Sequence, residues 1–141
     1  MRLAAGILLF ACGCGSGPYG SFDAGYDVHV IVTATPTPVK GLTVRPVVTL
    51  GGETMTAASR VLKGKDARAV EVAILLAPKG KHKLTVQEPT LKIGGSIELD
   101  VDRETWVVME MRHGDSKGRF HVYEYPDDVR DRFVPLVPVP D

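Results

Sequence analysis

The chain has 141 residues, of which 44% are hydrophobic, and it carries 17 Lys+Arg against 17 Asp+Glu. That length and apolar content fit one globular domain and exclude a chain too polar to bury a core. Balanced charge also excludes the concentrated basic surface that non-specific nucleic-acid binding requires, so no nucleic-acid partner is expected.

Residues 1–17 read MRLAAGILLFACGCGSG. One cation, Arg2, precedes an apolar run from Leu3 to Ala11, and small residues follow: the order of a secretory signal. The run of nine residues is far shorter than the roughly 20 that a bilayer-spanning helix needs. Its end, Leu9-Phe10-Ala11-Cys12, resembles the lipobox of bacterial lipoproteins. The resemblance rests on residues 9–12 alone. Leu9, Ala11 and Cys12 match it, and Phe10 stands where a small or β-branched residue is usual. A second register ending at Cys14 lacks the aliphatic residue. The resemblance implies cleavage before Cys12, a diacylglycerol group on its thiol, and anchoring in a bacterial membrane by acyl-chain burial. It also implies a cell-envelope location, with the domain in the periplasm or at the cell surface. Both cysteines lie in this segment, so the rest of the chain has no disulfide framework and no thiol nucleophile.

The expected organisation is a signal peptide over 1–11, a lipidated cysteine and Gly/Ser-rich tether over 12–25, a folded domain over 26–130, and a Pro-rich tail over 131–141. Pro135, Pro138 and Pro140 exclude a helix or central strand from the tail, which is expected to be extended and poorly ordered.

Residues 26–125 break into short runs with period-two alternation, separated by turn residues. Val28, Val30, Val32 and Ala34 share one face of the first run, with His29, Ile31 and Thr33 opposite. Leu42, Val44, Pro46, Val48 and Leu50 share a face of the second. Gly51-Gly52 then supplies the positive φ angles of a two-residue hairpin pairing Leu50 with Glu53, with Met55 expected in the core opposite Val48. Val70, Val72, Ile74 and Leu76 form the next expected inward set. Leu84 and Val86 follow, then Ile97, Leu99 and Val101. The final hairpin, 105–113 with 119–125, is expected to pair Arg112 with His121. Val107, Met109, Met111, Phe120 and Val122 then share the inner face. No segment makes a convincing helix. The pattern predicts an all-β antiparallel sandwich of seven or eight strands, immunoglobulin-like or prealbumin-like.

Chemistry-bearing constellations are sparse. Ser59, Ser96 and Ser116 lie in no Gly-x-Ser-x-Gly elbow, and no phosphate-binding Gly loop occurs. Enzymatic activity is therefore not expected, and no catalytic residue is assigned. Four histidines, His29, His82, His113 and His121, show neither His-x-His nor His-Glu-x-x-His spacing. His113 and His121 are the pair that adjacent strands could bring together around a metal. The row Glu98, Asp100, Asp102 and Glu104 reads as the wet face of a strand. No metal or other cofactor is expected. Trp106, Tyr123 and Tyr125 on one outward face would form an aromatic recognition surface for a protein or glycan; the alternative is a register one residue off, with Trp106 in the core. The expected function is an envelope-anchored, non-catalytic binding or structural module, the alternative being a periplasmic metal- or small-ligand-binding protein.

Overall fold

The structure, a computed structural model, describes residues 25–140. Cys12, Cys14, the apolar run and the tether up to residue 24 lie outside the described residues. The expected alternation becomes strands: β1 (Tyr26–Thr35), β2 (Leu42–Val44), β3 (Val47–Leu50), β4 (Glu53–Thr56), β5 (Arg60–Leu62), β6 (Ala69–Ala77), β7 (Gly80–Glu88), β8 (Ile93–Val101), β9 (Thr105–Arg112), β10 (Arg119–Tyr123) and β11 (Leu136–Val137). One helix, α1 (Pro126–Arg132), lies between β10 and β11. The all-β sandwich expected from the sequence is thus present. Its strand count is eleven among the described residues because the second run divides into β2 and β3 at Arg45-Pro46, and short strands lie between the long ones.

A five-stranded sheet, β10-β9-β1-β6-β11, faces a four-stranded sheet, β4-β3-β7-β8, with β2-β5 as a separate pair. One core joins them, built from Val28, Val30 and Val32 of β1, Val107, Met109 and Met111 of β9, and Val48, Leu84, Val86, Leu99 and Val101 opposite. Not every pairing is antiparallel: β1 runs parallel to β9, and β11 parallel to β6. The composition of β9 accounts for the first case. Residues 105–109 are all buried, a Thr-Trp-Val-Val-Met run with apolar groups on both faces, as strands inside parallel ladders usually have.

Three expectations about facing or register need correction. In β6, Val70 and Val72 face the core, but Ile74 and Leu76 are exposed and Ala73, Leu75 and Ala77 turn inward instead. The cause is a bulge: Val30 pairs with Ala73 and Ile31 with Glu71, so Val72 is the extra residue and the alternation changes phase there. At the Gly51-Gly52 turn, with φ of 59° and 89°, the expected pairing of Leu50 with Glu53 is observed. Met55 opposite Val48 is nevertheless exposed, because β4 is an edge strand. In the last hairpin His121 pairs with Val108, not Arg112. That shift of four residues is even, so each residue keeps its face; Val122, on the uncovered edge strand, stays 46% exposed.

The C-terminal segment also differs from expectation. Pro126 opens α1, with Asp127 and Asp128 in its first turn and Arg130 and Arg132 in its last, charges that suit both ends of the helix dipole. Seven residues are too few to show a helical period in the sequence. Val129 anchors the helix on the outer face of the five-stranded sheet, where it joins Ile31, Ala69, Trp106 and Val108 in a second apolar cluster. The tail beyond it is extended, as its prolines demand, but it is docked. Leu136 and Val137 pair with Ala69 and Val70 as an edge strand, and an Arg60 Nη2–H donates to the Pro138 carbonyl at 2.8 Å. Among the described residues no helix is long and apolar enough to cross a membrane.

Candidate functional site

The aromatic residues singled out in the sequence do not form an open platform. Trp106 is only 8% exposed because α1 and the tail cover the face on which it stands. Tyr123 is half-buried and meets the Phe133 ring edge-on at 6.1 Å. Tyr125, the residue preceding α1, is exposed. Nor are His113 and His121 brought together. His113 lies in the β9–β10 loop beside a cavity of about 590 Å³, whereas His121 approaches Glu110 at 3.3 Å and lines a different hollow.

The structure instead gathers groups around His29. On β1, Asp27 and His29 are two residues apart and so project from the same, outer face. Parallel pairing sets His29 beside Trp106, and the two rings stack at 4.8 Å with 8° between their planes. The β6 bulge keeps Glu71 on this face, where it is 7% exposed. Glu104 arrives from the β8–β9 turn, having left the acidic row in which the sequence places it.

The imidazole is held from both sides. Its Nδ1 lies 2.5 Å from Glu71 Oε2 and its Nε2 2.6 Å from Glu104 Oε2. With a carboxylate on each nitrogen, both nitrogens donate, which makes the ring an imidazolium. Chiefly the Glu71 hydrogen bond, and secondarily Glu104, raises the His29 pKa above the usual 6.5 against the opposing effect of burial. The other Glu71 oxygen accepts from the Val139 N–H at 3.2 Å, so the docked tail fixes the carboxylate that fixes the histidine. Beside this cluster, a cavity of about 400 Å³ opens between His29, Glu71, Glu104 and Trp106 on one side and Arg130, Leu136 and Pro138 on the other.

No known protein family, no curated protein and no solved structure matches this chain.

No paired-histidine spacing marks this cluster in the sequence. The available signal was Asp-x-His on one strand face, but the partners lie 42 and 75 residues from His29. A second buried carboxylate, Glu88, is likewise unmarked. It accepts from the backbone N–H groups of Arg45 and Thr90 at 2.5 and 2.8 Å, tying the β2–β3 junction to the β7–β8 turn. The donors to its carboxylate are backbone N–H groups, which makes it structural.

Proposed function

We propose that the chain is a lipoprotein of the bacterial cell envelope, lipidated at Cys12, whose sandwich serves as a non-catalytic binding or structural module. The observation that carries this reading is the Leu9-Phe10-Ala11-Cys12 stretch. It lies 14 residues before the first strand, enough chain to act as a tether. A membrane is then one partner, through the lipid, and an envelope protein or glycan is the other.

The non-catalytic part is supported by the surroundings of His29, the histidine held at both ring nitrogens among the described residues. Its two nitrogens meet carboxylates, and among the described residues no hydroxyl or thiol is hydrogen-bonded to it as an activated nucleophile would be. For binding, the cavity of about 590 Å³ is the better surface than the covered aromatics. It has an apolar floor of Leu42, Leu91, Ile93 and Met111 and a polar rim including Arg112 and His113, a composition and size usual for ligand sites. That cavity also favours the second reading, a periplasmic protein that binds a small ligand.

Labelled fatty acid supplied to cells expressing the full chain should enter the wild-type protein and not Cys12→Ala, which should leave the membrane fraction or accumulate uncut. Label retained in the Cys12→Ala, Cys14→Ala double variant would sink the lipoprotein reading. For the binding role, a partner co-purified from solubilised envelope should be lost with Leu91→Glu and retained with Tyr125→Ala. The opposite pattern would move the contact to the helix side.

A further inference from the structure

We propose that Asp27, His29 and Glu104 form a binding site for a first-row divalent cation of the zinc type, with Glu71 orienting the imidazole from behind. This inference does not depend on lipidation. The three side chains each offer a ligand atom, and those atoms all lie within 4.8 Å of one another. A tetrahedral ion with bonds of about 2.0–2.2 Å holds its ligands roughly 3.4 Å apart. Closing the set therefore takes movements of an ångström or so. Asp27 is exposed, and the Glu104 side chain is about half exposed at 51%, so these two can make them.

The part that must not move is built in. The Glu71 side chain, 10% exposed, accepts the hydrogen bond from Nδ1–H and so aims Nε2 outward, towards Glu104 and the cavity. A carboxylate behind a histidine that faces a metal is the recurrent way to fix the tautomer and raise ligand basicity. Trp106, stacked flat on the ring, blocks its rotation. Exchange at the site is balanced: the Nε2–H proton leaves to solvent, and the ion takes its place between Nε2 and the Glu104 oxygen.

Charge and ligand type agree on the ion. Asp27, Glu71 and Glu104 bring three negative charges, and among the described residues no lysine or arginine makes an ion pair with any of them. A divalent cation would neutralise two of the three. One imidazole with two carboxylates and no sulfur suits zinc or its borderline neighbours; calcium and magnesium sites are built from oxygen alone. The cavity of about 400 Å³ beside His29 and Glu104 leaves room for a water molecule as a fourth ligand.

The test is a titration of the tag-free full chain with Zn²⁺ against a chromophoric chelator, repeated with Ca²⁺. One Zn²⁺ per chain is expected, with Ca²⁺ failing to compete. His29→Ala should abolish binding. Glu104→Gln and Asp27→Asn, both at accessible positions that leave the core untouched, should each weaken it. Glu71→Gln should cost about 10–100-fold in affinity, the usual effect of losing an outer carboxylate. Cys12→Ser with Cys14→Ser, and His113→Ala with His121→Ala, should leave it unchanged. Co²⁺ in place of Zn²⁺ should give visible absorption bands that shift in Glu71→Gln, a response that mere loss of stability would not produce. Absence of stoichiometric binding, or binding that survives Glu104→Gln and Asp27→Asn but is lost with the cysteines, would overturn the site.

Discussion

Two glutamates show how differently a carboxylate is used in this molecule. Glu88 is 1% exposed and gathers backbone N–H groups of Arg45 and Thr90. A buried donor left without its acceptor costs about 1–3 kcal/mol. Glu88→Ala strands at least two, so its urea midpoint should fall well below that of Glu88→Gln, which keeps one acceptor oxygen. Equal midpoints for the two variants would deny Glu88 this role. Glu110 is different: it accepts from the Thr35 hydroxyl at 2.6 Å and lies 3.3 Å from His121 Nε2. The Thr35 hydrogen bond first, then His121 and Arg112, lowers its pKa below the ordinary 4.5, against burial. Between its folded and unfolded pKa values the unfolded chain binds the extra proton, so stability rises with pH there. The contribution is complete above the unfolded value and disappears as pH falls through the lower, folded one. The stability gap between wild type and Glu110→Gln should therefore shrink as pH drops below about 4.5. A gap unchanged down to the acid transition would contradict the assignment.

At the scale of elements, the β9–β10 hairpin and the segment after it decide which surfaces are open. Met111 is 2% exposed and lies in the main core, so Met111→Ala should cost about 2–5 kcal/mol. Tyr123, half-buried against Phe133, should cost less when truncated to Ala. Reversal of that order would mean that the two faces had been exchanged. Whether α1 is a cover can be read from Trp106, the only tryptophan in the chain. Val129→Asp puts a charge into the cluster of Ile31, Ala69, Trp106 and Val108. It should red-shift the tryptophan emission while the far-ultraviolet spectrum stays β-rich. Emission unchanged from wild type would mean that α1 does not shield this face. The faces of β1, β7 and β8 were legible because their alternation is uninterrupted. Those of the second half of β6 were not, since a bulge leaves no mark in Val70-Glu71-Val72-Ala73 itself. It exists only in the pairing with β1.

For the molecule as a whole, the described core contains no cysteine, and its two facing sheets share one apolar cluster. Cys12→Ser with Cys14→Ser should thus leave the thermal transition in place and single-step, as small single-core domains usually behave. Loss of cooperativity in that variant would implicate the N-terminal segment in folding. What the sequence determined by itself was whatever local pattern carries: an all-β class from period-two alternation, a hairpin from Gly51-Gly52, an extended tail from its prolines. What only the tertiary structure decided was what lies against what. Parallel pairing of β1 with β9 set Trp106 on His29, and the β6 bulge aimed Glu71 at the same ring. Docking of 126–140 covered a face that alternation alone marks as wet. Strand patterning reports which side a residue faces, whereas burial and chemistry on that side depend on residues 42 and 75 positions away. Those distances are closed by the fold, and no local signal records them.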